Sequence, residues 1–394
     1  MPPSPLRLIL SLGLTQIVGY GTLYYGFAVM APAIATDLGV PLSLVFAVFS
    51  ATLLAGAFAA PATGRFIDRA GARRALMLGS LIGAVALAVL AAAPGFGGFV
   101  AGMALVEVAT LLATYDAAFA AVSQALGQPH ARRAITQMTL MGGFASTVFW
   151  PLTGWIMAQA DWRTAALTFA ALHLCVCLPL HAALPRAPLT APPRPHAPRR
   201  PLPDHPPLPA AAHPRAMRLV GASFALAGFV FSAVTAGWVV MLAALGVGQT
   251  TALAAGALMG PAQVAVRLAD MLLGGHLHPL RSTLIALGLL VAALAVLGLA
   301  GTTVAGAFVF AALFGLSQGL TSIVRGTVPL ALFGPVGYAT RLGQLARLRL
   351  IAAAIAPFVM TAVIAQVSVW AALALAGVLA VAATLVLARL RPTG

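Results

Sequence analysis

Apolar residues in this chain come in long blocks rather than in alternating or one-faced patterns. Twelve runs of roughly 20 residues, each nearly free of charge, follow one another: 7–32, 42–63, 75–93, 97–122, 135–159, 164–184, 218–244, 249–272, 283–300, 304–328, 340–366 and 368–388. A helix of about 20 residues covers about 30 Å, the thickness of a bilayer's hydrocarbon core. Polar residues gather in the short gaps and in one long gap, residues 185–217. There Pro192, Pro193, Pro195 and Pro198 are interleaved with Arg194, Arg199 and Arg200. Such a stretch can neither propagate a helix nor bury a core, so it predicts a tether. The expected architecture is an all-α membrane protein of twelve transmembrane helices. Residues 1–184 and 218–394 each form a six-helix bundle, and 185–217 joins them.

Composition sharpens this. Of 394 residues 61% are hydrophobic and 7% charged, where a soluble domain carries about 25% charged residues. A soluble enzyme, a nucleic-acid binder and a disordered chain are excluded on that ground. The net charge of +15 points first to a polyanionic partner, but its distribution says otherwise. With the N-terminus in the cytoplasm and the runs alternating, one side receives Arg7, Arg65, Arg69, Arg73, Arg74, Arg132, Arg133, the tether, Arg281, Arg341, Arg389 and Arg391. The opposite side receives Arg163 alone, beside Asp37 and Asp161. This is the positive-inside pattern of a multi-pass protein with both termini cytoplasmic, and the excess arginine meets anionic lipid. The first run lacks a cleavage site and reads as a retained helix. Every basic residue is arginine; without lysine no G-x-x-x-x-G-K-[ST] loop exists, and ATP-driven pumping by this chain is not expected.

After the second run the chain reads Gly64-Arg65-Phe66-Ile67-Asp68-Arg69-Ala70-Gly71-Ala72-Arg73-Arg74. This resembles the loop signature of the major facilitator superfamily, G-x-x-x-D-R-x-G-x-R-R. The resemblance implies a secondary transporter that works by alternating access, with two bundles rocking about a central cavity. It also implies a conformational latch at Gly64, Arg65, Asp68, Arg69, Gly71, Arg73 and Arg74, with Asp68 facing arginine and a helix N-terminus. Arg267 and Asp270 repeat the Arg-x-x-Asp spacing after the eighth run and suggest a second latch. Thr15 to Tyr25, and Tyr115 to Ala120, resemble the bacterial branch related to monocarboxylate transporters and oxalate/formate antiporters. Trp150-Pro151-Leu152-Thr153-Gly154 resembles part of the antiporter signature of drug exporters, with Pro151 and Gly154 as its matching, kink-forming members.

Among residues that carry chemistry, Glu107 stands out. It is the sole glutamate and lies about ten residues into the fourth run. An acid at that depth costs about 2.5–3.5 kcal/mol on insertion scales. Proton coupling is its expected role, a structural pin the alternative. Asp116 and Arg325, placed at the ends of the fourth and tenth helices, are expected gate partners. Gln16, Tyr20 and Tyr24 fall on one stripe of the first helix. With Trp238, Gln263, Ser317 and Gln318 they are expected to line the substrate cavity. Cys175 and Cys177, with His173 and His181 nearby, invite a metalloid reading. Residues two apart on a helix point in different directions, however, so no metal site and no cofactor is expected.

These residues favour proton-coupled export of a small organic solute from a bacterial inner membrane. Uptake of a monocarboxylate by proton symport is the alternative, with Arg325 or Arg267 meeting the carboxylate. Metalloid efflux, or a role as sensor or lipid mover, stands further off. A monomer that meets lipid, protons and a small molecule, but no nucleic acid, is the expected working form.

Overall fold

A computed structural model describes residues 4–186, 207–273 and 277–390. Most of the expected tether, with Arg194, Arg199 and Arg200, lies outside these residues, as do His276 and Arg391. The described chain is helical throughout its long elements and divides into two units. Unit 1 is drawn from residues 1–200 with 335–343, and unit 2 from 201–334 with 344–394.

Unit 1 contains α1 (Pro5–Tyr20), α2 (Gly26–Leu38), α3 (Leu42–Ala70), α4 (Ala72–Ala92), α5 (Phe96–Ala113), α6 (Tyr115–Gly142), α7 (Ala145–Gln159), α8 (Trp162–Leu172) and α9 (Leu178–Ala182). Two π turns fuse pairs of these into single rods: Gly21–Tyr25 joins α1 to α2, and His173–Cys177 joins α8 to α9. Unit 2 contains α10 (His213–Ala244), α11 (Gln249–Leu273), α12 (Pro279–Ala300), α13 (Val304–Phe333), most of α14 (Tyr338–Gln366) and α15 (Val369–Ala388). The first residues of α14, through Gly343, belong with unit 1.

Eleven helical stretches among the described residues are long and apolar enough to cross a bilayer. The run expected at 135–159 is absent from that set because it is interrupted at Gly143 and Phe144. Its two parts are the end of α6 and the 15-residue α7, and about 22 Å of helix is too short to span alone. The fourth run is also broken. Thr114 is extended (φ −95°, ψ −163°) and separates α5 from α6, while Gly127 (φ 68°) interrupts α6 beyond the run's expected end at 122.

Lipid offers helices no hydrophobic reason to associate, so close packing of small residues does much of the work. In unit 2, Gly315 and Gly319, one turn apart on α13, lie against the α11 backbone. A Cβ would sit 2.6 Å from the Met259 carbonyl oxygen at Gly315, and 2.7 Å from the Gln263 carbonyl oxygen at Gly319. Large apolar side chains such as Leu299 and Phe58 remain exposed on the outside, which in a membrane protein is the lipid face.

Candidate functional site

The sequence motif read as a loop is mostly helix. α3 runs through Asp68 and Arg69 to Ala70, and only Gly71 leaves the helical region (φ 87°) before α4 begins. Asp68 sits on the last turn of α3 and accepts three hydrogen bonds from the start of α14. They come from the Ala339 backbone N–H (3.1 Å), the Thr340 backbone N–H (2.8 Å) and the Thr340 hydroxyl (2.6 Å). A carboxylate is thereby placed on the positive end of a 29-residue helix, whose first N–H groups have no partner within the helix. Gly64, one turn back, lets the chains meet: any Cβ there would collide with the Ala339 carbonyl. Arg73 donates to the Ala182 carbonyl through Nε (3.1 Å) and a terminal nitrogen (2.6 Å), tying α4 to the end of α9. Arg65, Arg69 and Arg74 are exposed.

Glu107 lies inside unit 1, 8% exposed. Among the described residues no hydrogen bond or ion pair reaches its carboxyl group. Its nearest structural support is Gly56 of α3, where an added Cβ would overlap the carboxyl oxygen. The bare glycine therefore makes the space that Glu107 occupies.

The expected stripe on α1 is not uniform. Gln16 is fully buried and donates to the Ala113 carbonyl (3.0 Å), fastening α1 to the end of α5. Tyr20 is half-buried and packs on Tyr115, centroids 4.6 Å apart. Tyr24 is exposed and meets Phe49 of α3 at 5.7 Å. The π turn that starts at Gly21 also presents Tyr25, which meets exposed Trp150 of α7 edge-on at 6.0 Å. Tyr24, Tyr25, Phe49 and Trp150 thus form one aromatic cluster drawn from three elements. Of these, sequence spacing singled out only Tyr24 as a lining residue. The others lacked a signal, because their meeting depends on the π turn and on which helices neighbour α1. Pro151 follows Trp150 inside α7, and the space beside Gly154 is open.

In unit 2, Arg267 is 4% exposed. Its guanidinium donates to the Gly319 carbonyl (3.4 Å) and to Gln263 Oε1 (3.3 Å), and Gln263 in turn donates to Gln318 (2.7 Å). Asp270 lies one turn further along α11 and is partly buried. Trp238 and Ser317 join the packing of this unit. The Trp238 indole donates to the Ala252 carbonyl (2.7 Å) and stacks on Phe310, and the Ser317 hydroxyl donates to the Ala286 carbonyl (2.6 Å).

Neither expected gate residue ends a helix. Asp116 stands in the first turn of α6, just after the break at Thr114, where an acid complements the helix dipole. It shares a shallow recess with Gly64, Ile67, Ala339 and Gly343. Arg325 lies two turns before the end of α13. Cys175 is exposed and Cys177 buried on the π turn.

The sequence profile of the Major Facilitator Superfamily matches residues 13–347. The chain belongs to this superfamily and has its twelve-helix fold. It is a multi-pass membrane protein and a secondary transporter. Among solved structures it is similar to the human organic anion transporter MFSD10 (TETRAN), with TM-score 0.74 and 18% identity, over 98% of this chain and 100% of that one. It is also similar to FucP, a Major Facilitator Superfamily transporter captured in an outward conformation. There the TM-score is 0.72 and the identity 12%, over 97% of this chain and 98% of the other. No curated protein matches the sequence.

Proposed function

We propose that this transporter exports a small organic solute in exchange for protons across a bacterial inner membrane. The observation that carries the reading is Glu107: an acid within a membrane span, 8% exposed, with no hydrogen-bond or ion-pair partner among the described residues. A buried acid held only as a structural pin would be expected to have its polar atoms paired. One left open is suited to exchange a proton. The aromatic cluster of Tyr24, Tyr25, Phe49 and Trp150 supports an organic, partly aromatic cargo, since flat rings bind such molecules by stacking and area burial. In this reading the bond from Asp68 to the start of α14 holds one state of the cycle and is released in another. Asp116 and Arg325 act as gate partners.

A second reading is uptake of a monocarboxylate with protons. Arg267 favours it: a buried guanidinium inside a membrane helix is a default anion contact. The likeness to an organic anion transporter is compatible with it, though at 18% identity that likeness speaks to fold alone.

Liposomes holding the purified protein and a pH-sensitive dye separate the two. Proton flux driven by neutral or cationic aromatic solutes, and lost in Glu107→Gln, is the expected result. Flux driven by carboxylates and lost in Arg267→Gln instead would establish the second reading.

A further inference from the structure

Two histidines of the rod formed by α8 and α9 are fully enclosed, His173 at 0% and His181 at 1% exposure. They are eight residues apart. On an α-helix a separation of seven keeps two residues on one face, and the π turn His173–Cys177 inserts the extra residue between them. Both rings therefore face α1, where Thr15 and Thr22 stand seven apart. His173 Nε2 lies 2.7 Å from the Thr22 hydroxyl, and His181 Nε2 lies 2.9 Å from the Thr15 hydroxyl.

Hydrogen-bond chemistry assigns the protons. Among the described residues His173 Nδ1 has no acceptor to receive a hydrogen, so the ring proton sits on Nε2 and goes to Thr22, whose own proton goes to the Val18 carbonyl at 2.8 Å. His173 Nδ1 is then a bare nitrogen without a partner among the described residues, set against Gly83. A second proton there would be an N–H with nothing to receive it. His181 is the reverse. Its Nδ1 faces the Leu76 carbonyl (3.1 Å) and the Ser80 hydroxyl (2.7 Å). A carbonyl only accepts, so Nδ1 carries the hydrogen and Nε2 holds the lone pair. Thr15 stands between that lone pair and a second acceptor, the Leu12 carbonyl at 3.1 Å. With His181 neutral, the hydroxyl donates to Nε2. With His181 protonated, the hydroxyl turns to Leu12 and accepts from Nε2–H. Both protonation states are fully hydrogen-bonded with no movement of heavy atoms.

We infer that His181, with Thr15, Ser80 and the Leu76 carbonyl, is a proton-binding site of unit 1, separate from Glu107, and that His173 is not one. The titratable or charged groups on the elements packed around it are Arg7 and Tyr20 of α1, Arg73 and Arg74 of α4, Arg163 of α8, and Cys175, Cys177 and His173 of its own rod. Arg73 comes near through its bond to the Ala182 carbonyl, one residue beyond His181. All of these except the cysteines and Tyr20 are cationic or basic and no Asp or Glu is among them, so the proton's hold depends on the three oxygen contacts rather than on a counter-ion. Use of the site in transport rests on the proton-coupled reading above; its protonation does not.

The test is nitrogen NMR of the full chain in lipid with labelled histidine, His173 and His181 being assigned by His173→Gln and His181→Gln. At about pH 8 His181 should show the Nδ1–H form and His173 the Nε2–H form. At about pH 5 His181 should show both nitrogens protonated while His173 is unchanged. Thr15→Val, similar in shape, should abolish the charged form of His181, and Thr15→Ser should keep it. The inference is overturned if His181 stays neutral at both pH values, if His173 charges instead, or if Thr15→Val charges like the parent. Proton coupling is judged separately: vesicles of the parent protein that show no substrate-driven proton flux remove that reading and leave the NMR result to decide the site.

Discussion

Arg65-x-x-Asp68 and Arg267-x-x-Asp270 have the same spacing near the ends of two membrane helices, yet the two arginines sit in opposite surroundings. In unit 1 the acid is engaged: Asp68 caps the start of α14 with three hydrogen bonds, while Arg65 is exposed. In unit 2 the base is enclosed: Arg267 is 4% exposed and donates to Gly319 and Gln263 on the α11–α13 contact. The difference follows from what each helix meets. The end of α3 meets the positive end of a helix, which wants an acceptor. On α11, Arg267 reaches the Gly319 carbonyl of α13 and the Gln263 amide oxygen one turn back on its own helix, and both take a donor. The same spacing thus leaves one arginine at the surface and the other enclosed between helices.

The largest expected effect comes from breaking the unit 1 member. Asp68→Ala removes three hydrogen bonds to an ionised group, each worth about 1.5–3 kcal/mol. It should abolish transport in vesicles, whereas Arg65→Ala should slow it only modestly. Equal losses would erase the asymmetry. Next comes the unit 2 member. Arg267→Met takes a buried donor away from Gln263 and from the Gly319 carbonyl, which keeps the Ser322 hydroxyl at 2.6 Å, at about 1–3 kcal/mol. A clear fall in thermal unfolding temperature is expected, against a change within about 0.5 kcal/mol for Arg65→Met.

The proposed gate sharpens the comparison further, since Asp116 lies in unit 1 and Arg325 in unit 2. Each single reversal, Asp116→Arg or Arg325→Asp, should impair transport, and the double swap should recover a substantial part. No recovery would remove the pairing. The smallest effect is expected at Asp161, which caps α8 by accepting from the Thr164 N–H at 2.7 Å. That backbone bond first, and the Thr164 hydroxyl second, hold its carboxyl below the usual aspartate range. A lowered acid stabilises the fold above its ordinary range, and the gain is lost as pH falls through the lowered value. Asp161→Ala should therefore cost about 1 kcal/mol near neutral pH. The difference between variant and parent in an acid unfolding series should shrink below about pH 4.

Much of the fold was legible because lipid imposes one rule on every span: about 20 apolar residues with their backbone bonds closed internally. Hydropathy therefore finds spans. It does not find the interruptions at Thr114 and Gly143, where the residues remain apolar or small and only the backbone turns. Nor does it find the π turns after Tyr20 and Leu172, which decide that Tyr25 joins an aromatic cluster and that His173 and His181 share a face. Asp68 and Gly64 were legible as a motif, and Asp68 was expected to face a helix N-terminus; that the helix is α14 was not. Trp238 and Ser317 were read as cavity residues because polar groups inside spans usually face inward. Each spends its donor on a neighbouring backbone carbonyl.

Glu107 was the residue that spacing and composition singled out most sharply, and the account turns on it. The direct measurement is substrate-driven proton flux in dye-loaded liposomes, parent against Glu107→Gln, with correct folding verified by an unchanged unfolding temperature. The parent should move protons when an aromatic solute gradient is imposed, and Glu107→Gln should move none. Undiminished proton flux in Glu107→Gln would contradict proton coupling at this residue.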